Sequence, residues 1–202
     1  SLPIIPPKKL ETGILLNAQG QRFVNEDSYY GRLGEHVMYR QDGKAWLLVD
    51  EKCFERPDVP REISAVGESI EEIEAALKMP EGSLVSTLEY YNRHAARGED
   101  PVFHKSREWL APIATPPFAL VDWTLDTLKP TCFTLGGLDT LPTGEVVTPD
   151  RELIPGLYAA GRTAAGIPRT ASGYASGMSV ADATFFGRAA GRQVAAQPRT
   201  GG

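Results

Sequence analysis

The stretch GLYAAGRTAAGIPRTASGYASGMSVADATFFGRAAG, residues 156–191, constrains the fold more than any other part of the sequence. It opens with a short apolar run and closes in a pattern that predicts a helix from about Met178 to Ala196. Between the two lie Gly161, Gly166, Gly173 and Gly177. Strand, glycine-rich loop, helix is the order of an α/β unit, in which glycines let backbone approach something flat or bulky. Ser176-Gly177-Met178-Ser179 falls at the helix amino terminus. Free N–H groups and the positive end of the helix dipole favour an anion there. A flavin, which carries negative charge at its N1/C2 carbonyl edge when reduced, is one occupant. A phosphate site or a plain tight turn is equally compatible with these residues. On the helix, Val180, Thr184, Gly187, Gly191 and Val194 share one mostly small face, which predicts close approach to a sheet. Asp182, Arg188 and Arg192 interrupt the G-x-x-x-G spacing and argue against a membrane helix.

The 202 residues suffice for one domain or a domain and a half. A net charge of −5 without a basic run excludes a surface built for nucleic acid or anionic membrane. No apolar stretch is long enough to span a bilayer. The two cysteines, Cys53 and Cys132, have no metal-ligand spacing, and His36, His94 and His104 are scattered, so no metal site is expected. Two reduced thiols predict a cytoplasmic setting.

Upstream, residues 1–12 read as a linker or leading strand. GILLNAQGQRFV (13–24) reads as a hairpin turning at Gln19-Gly20, and AWLLV (45–49) as a buried strand. Ser69 and Glu72 form a capping box for a helix over 69–79, with Ile70, Ile73 and Leu77 on one face. A second helix begins near Ser83, with Leu84, Leu88, Tyr91 and Ala95 at helical spacing and Gly98 as its stop. By the same spacing, Tyr90 and Tyr91 read as core. The proline-rich PIATPPF (112–118) marks a boundary. CFTLGGL (132–138), TGEVV (143–147) and GLYAAG (156–161) then read as short strands, and residues 198–202 as a disordered tail.

Four pieces, in order, carry a resemblance. GILLNAQGQRFVNED (13–27) is similar to the approach to the substrate-capping domain in the fumarate reductase/succinate dehydrogenase flavoprotein superfamily. FTLGGLDT (133–140) resembles its return strand beside the flavin. GLYAAGR (156–162) and GYASGMSVADATFFGRAAG (173–191) resemble its terminal flavin-binding stretch, particularly in the 3-ketosteroid dehydrogenase branch. The helical hairpin ending in YNRHAARGEDPVFHK (91–105) also resembles the cap.

The resemblance implies an α/β fold with an α+β cap: a substrate-capping domain over 13–118, and the carboxyl-terminal part of a Rossmann-like FAD-binding domain over 119–197. It implies FAD as cofactor, contacted at Gly161, Arg162, Ser176, Gly177, Met178, Ser179 and Val180. Arg162 departs from the acidic residue often found there. No G-x-G-x-x-G follows a strand, so the dinucleotide fingerprint is expected in a missing amino-terminal segment or a partner chain.

Departures from the family pattern narrow the chemistry. Cys132-Phe133 precedes TLGG where fumarate reductases carry a histidine pair. Tyr174 replaces a substrate-binding arginine, and Phe54, flanked by Lys52 and Arg56, falls near the position of the proton-delivering arginine. A small dicarboxylate needs fixed cations. Aromatic and apolar groups suit a small hydrophobic, ketosteroid-like substrate instead. Phe133, Thr134 and Tyr174 are its implied binding residues, and Tyr30 and Tyr174 the implied catalytic pair for desaturation next to a ketone. Tyr30 as base with Tyr174 as hydrogen-bond partner, and the reverse, are both open. Tyr29 and Tyr30 could instead cover the edge of the cap, and Glu26 reads as a structural hydrogen-bond partner rather than a proton relay. Two rivals stand beside this reading: a fumarate or enoate reductase, and a non-catalytic module.

Overall fold

A computed structural model describes residues 12–55, 61–128, 133–168 and 170–198. The chain divides into two compact units, Ser1–Thr131 and Cys132–Gly202. The leading segment 1–11, Arg56, Cys132 and residues 199–202, on which several expectations fall, lie outside the described residues.

The first unit is a four-stranded antiparallel sheet with helices. Its strands are β1 (Ile14–Leu16), β2 (Trp46–Val49), β3 (Ile63–Gly67) and β4 (Phe118–Asp122), in the order β1-β2-β4-β3. β2 and β4 are central, pairing Trp46 with Asp122 and Val49 with Ala119. Both are apolar runs, as strands covered on two faces must be. One face packs Ile14, Leu16, Leu48 and Leu120 against Ile73, Leu84, Leu88 and Tyr91 of two helices. The other packs Leu15, Leu47, Val49 and Val121 against Leu33 and Val37 of a third.

That third helix, α1 (Tyr30–Arg40), carries Gly31 and Gly34 and begins without a side-chain cap, so its sequence gave no helical expectation. Leu33 and Val37, four residues apart, bury its inner face. The expected helical hairpin is α2 (Ile70–Ala76) and α3 (Ser83–Ala95). Ser69 Oγ accepts from the Glu72 amide at 3.2 Å, and α2 ends before Lys78, which adopts a φ of 55°. Leu84, Leu88, Tyr91 and Ala95 are the buried positions of α3.

Two boundaries differ from expectation. Only Leu16 and Arg22 bridge across the 13–24 turn, so Phe23 and Val24 form no strand. The turn is held instead by Asn17 Oδ1, which accepts from the amides of Gln19 and Gln21 at 3.0 Å. The first unit also runs on past residue 118. β4, where no strand was expected from sequence, completes this sheet, and the compact units divide after Thr131. The prolines lead into a central strand of the sheet.

Buried charge ties the unit together. Arg22 donates from Nε to Glu26 Oε1 at 2.8 Å, and from Nη2 to Glu26 Oε2 at 2.7 Å and Asp100 Oδ2 at 2.8 Å. Its guanidinium lies 5.0 Å from the ring centres of both Tyr91 and Phe103. Lys105 Nζ donates to Gly13 O at 2.6 Å and sits 3.5 Å from Glu26 Oε2. Glu26 also accepts from the Leu15 amide, which makes it the structural partner anticipated from sequence. Burial works against the Arg22 charge, but the bonds to Glu26 and Asp100 outweigh it and raise its pKa. Lys105 has weaker partners, and burial lowers its pKa.

Asp50 closes the other end of β2. Its Oδ1 accepts from the amides of Lys52 and Cys53, and its Oδ2 from those of Ala114 and Thr115. Burial alone would raise its pKa, but these N–H donors lower it below the usual carboxylate value. Cys53 behind it is 7% exposed, and burial pushes its thiol up to about 11.

The second unit is smaller. β5 (Glu145–Val147) and β6 (Leu153–Tyr158) form a two-stranded antiparallel sheet. The helix α5 (Met178–Ala196) has the predicted bounds. The expected strand at 132–138 is absent among the described residues, where Leu138 makes only an isolated parallel bridge to Ala164. The buried face of α5 also differs from expectation. Asp182 and Ala190 are buried, whereas Val180 and Val194 are 68% and 50% exposed. The close approach comes from Gly144, where a Cβ would lie 2.6 Å from that of Ala190.

Two outcomes follow. Arg22→Ala leaves the Glu26 and Asp100 carboxylates buried with less compensation, and should cost about 3–5 kcal/mol in chemical denaturation. Asp50 and Asp100 both have folded pKa values below 3.8, Asp100 because its Arg22 and backbone bonds outweigh burial. Such groups contribute stability above the unfolded pKa and lose it as pH falls through the folded one. Unfolding free energy should therefore decline below about pH 4 through these two groups, and the decline should be shallower in Asp50→Asn.

Candidate functional site

The second unit gathers most of the residues singled out from sequence. Gly177 is the N-cap of α5 with a φ of 89°, a left-handed turn that suits glycine. It turns the chain so that Tyr174 and Ser179 meet, the Tyr174 hydroxyl lying 2.6 Å from Ser179 Oγ. Tyr174 is 8% exposed. The Phe133 ring meets it edge-on, with centres 5.6 Å apart at 64°, and is itself 55% exposed.

Arg162 ties the loop together. It lies in the short 3₁₀ turn Gly161–Thr163, its guanidinium 5.0 Å from the Phe133 ring centre. Its Nη1 donates to Thr134 O at 2.9 Å. Thr134 Oγ1 makes a long 3.4 Å bond to Gly136 O. Phe133, Thr134, Arg162, Tyr174 and Ser179 therefore form one connected cluster.

The cluster has an aromatic wall and one cation already engaged with a carbonyl and a ring. That chemistry suits a flat apolar molecule with a polar end. Among the described residues no group of His, Cys, Asp and Glu could hold a metal ion.

Tyr30 belongs to the first unit, as the first residue of α1. It is 38% exposed and its ring centre lies 4.3 Å from that of Tyr29. Tyr91 packs in the core, as its spacing predicts, and Tyr90 is 43% exposed beside His94.

Asp182 was not among the functional residues singled out from sequence. It is 5% exposed, its Oδ1 has no hydrogen-bond partner among the described residues, and it lines a cavity of about 190 Å³ with Gly161, Gly166 and Phe186. A Cβ on Gly166 would lie 2.6 Å from its Oδ2. The spacing of Asp182, Phe186 and Ala190 is the signal that could have revealed this inner face.

The fit to a flavin rests on the start of α5. Gly177 offers no capping side chain, although the Met178 amide already donates to Ala175 O at 3.2 Å, and a Cβ at Gly177 would meet nothing within 4 Å. A helix start open at Gly177 and without a capping side chain is compatible with an anionic ring edge.

Residues 8–178 match the family described as "FAD binding domain". The chain belongs to the FAD-binding domain family. The 3-ketosteroid-Δ4-(5α)-dehydrogenase of Rhodococcus jostii RHA1, solved with 4-androstene-3,17-dione, superposes with a TM-score of 0.84 at 43% identity, covering 95% of this chain and 40% of that one. The 3-oxo-5-alpha-steroid 4-dehydrogenase of Comamonas testosteroni is 29% identical over 78% of this chain and 34% of its own. The NADH:fumarate oxidoreductase of Klebsiella pneumoniae (strain 342) is 30% identical over 92% of this chain and 20% of its own. The chain thus spans well under half of each relative. The fold is the mixed α/β architecture of these flavoenzymes, and the expected FAD family holds. No helix among the described residues is long and apolar enough to cross a membrane.

Proposed function

We propose that this chain forms the substrate side of an FAD-dependent dehydrogenase acting on a flat hydrophobic ketone of ketosteroid type. The observation that carries the reading is the Tyr174 hydroxyl, fixed at the start of α5 and walled by Phe133. The 43% identity to a ketosteroid dehydrogenase supports it. In this reading the first unit is the substrate cap, and the second holds the isoalloxazine end of FAD.

Gly161 and Arg162 would lie along the ribityl chain. Ser176, Gly177, Met178, Ser179 and Val180 would border the flavin. FAD, when bound, supplies the hydride acceptor. The adenosine half would be held by residues outside this chain, in an amino-terminal segment or a partner chain, since no dinucleotide fingerprint occurs here.

The chain's own residues would manage protons. Desaturation next to a ketone breaks one C–H bond with loss of a proton, the electron pair forming the new double bond as a hydride leaves the adjacent carbon. One tyrosine, as its phenolate, takes the proton, and the other donates a hydrogen bond to the ketone oxygen, which strengthens as enolate charge develops. Tyr30 and Tyr174 fill these roles in either order. Phe133 and the Thr134 segment would line the substrate's apolar body. A cytoplasmic setting fits the buried, unpaired Cys53 thiol.

The fumarate relatives favour a second reading, an enoate reductase running the reaction in reverse. A free cation to clamp a dicarboxylate is what that reading needs, and Arg162 is already engaged with Thr134 O and Phe133.

Turnover of saturated 3-ketosteroids and of fumarate, with artificial electron carriers, separates the two. The FAD-loaded protein should desaturate the steroid and leave fumarate unreduced. Tyr174→Phe should lower kcat/KM by about 10²–10⁴-fold, as expected for loss of a positioned proton-transfer or hydrogen-bonding group. Fumarate reduction without steroid turnover would reverse the assignment.

A further inference from the structure

We propose that Ser179 is a positioning residue: its side-chain hydroxyl, distinct from any backbone contact to flavin, orients the Tyr174 hydroxyl for the reaction. The inference rests on the dehydrogenase reading for its kinetic consequence, but not for its geometry.

Ser179 is the second residue of α5. Serine hydroxyls on helices ordinarily cap the helix start or bond back to a carbonyl one turn earlier. The same helix shows the second habit at Thr184, whose Oγ1 donates to Val180 O at 2.8 Å. Ser179 follows neither. Its Oγ reaches back five residues to the Tyr174 hydroxyl at 2.6 Å, at the short end of the range for two hydroxyls.

The intervening chain is shaped for this meeting. Gly177 adopts a φ of 89° and the Met178 amide donates to Ala175 O at 3.2 Å, closing a tight turn between the two residues. Phe133 packs edge-on against the Tyr174 ring. A ring held in this way places its oxygen, and the torsion of the O–H bond is then set by hydrogen bonding. Ser179 Oγ, within hydrogen-bond reach, fixes that last torsion. With Tyr174 as base, in its phenolate form, the serine hydroxyl donates to the oxygen and leaves a lone pair directed at the substrate proton. With Tyr174 as hydrogen-bond donor to the ketone, the serine holds the oxygen while the proton points to substrate.

The test uses the FAD-loaded protein with Ser179→Ala and Ser179→Thr. Alanine removes the hydroxyl in a residue the helix favours, and threonine restores it. Unchanged visible absorption of bound flavin checks that the fold and cofactor site persist. Ser179→Ala should lower kcat on a saturated 3-ketosteroid by about 10–100-fold, the scale of a small misplacement of a reacting group. KM should stay within about twofold, because contacts that bind the substrate body are untouched. Ser179→Thr should recover most of kcat. The second readout is independent of turnover. In protein labelled with 3-fluorotyrosine, the resonance assigned by its loss in Tyr174→Phe should shift or broaden in Ser179→Ala and return in Ser179→Thr.

A Ser179→Ala protein with wild-type kcat and an unmoved Tyr174 resonance overturns the proposal. So does a loss of activity that threonine fails to restore while flavin absorption is normal. A protein without steroid turnover whose Tyr174 resonance still responds to Ser179→Ala and recovers with threonine overturns the ketosteroid reading alone and supports the positioning role.

Discussion

Arg22 can lie buried only because two carboxylates and two aromatic faces meet it there, and the first unit is organised around that requirement. Glu26 comes from the same turn, whereas Asp100, Tyr91 and Phe103 come from α3 and the loop after it. The cluster therefore joins segments nearly eighty positions apart, |i−j| being 78 for Arg22 and Asp100. Lys105 extends it to the backbone of Gly13 beside β1. A buried charge left without partners costs far more than a lost apolar contact, so this arrangement favours one packing of the helical hairpin on the sheet. Asp50 does the same for the end of β2 and the proline-rich turn into β4.

The second unit is held differently. Among the described residues its apolar cluster is Val146, Ala159 and Ala164, with Val147, Tyr174 and Ala190 also buried, and glycine does the shaping. Gly144 lets the β5 turn touch Ala190, and Gly177 sets the angle at which Tyr174 meets α5. Leu153, Ile154 and Leu157 of β6, with Val180 and Phe185 of α5, stay exposed. A strand apolar on both faces is the kind that larger sheets cover.

What the sequence revealed follows from where side-chain pattern decides structure. The capping residue Ser69, the α3 spacing and the bounds of α5 are local signals, and they were legible. α1 was not, because Gly31 and Gly34 weaken its propensity and only tertiary burial of Leu33 and Val37 holds it. β4 was hidden by the prolines before it, and β3, with its exposed Ile63 and Val66, has no clear alternation. Phe133, Thr134, Arg162, Tyr174 and Ser179 were singled out separately, but their connection depends on the turn at Gly177 and on the Arg162 side chain crossing to residue 134. Asp182 escaped because a lone acid in a helix ordinarily faces water.

The claim that this chain presents a flavin to a hydrophobic ketone is most directly tested by anaerobic mixing. The FAD-loaded protein would be mixed with a saturated 3-ketosteroid in one cell and with succinate in another, and the visible absorption of oxidised flavin followed without any added electron acceptor. The account predicts bleaching by the steroid, since its two electrons must pass to the flavin, and no change with succinate. Bleaching by succinate with an unchanged steroid sample would contradict it.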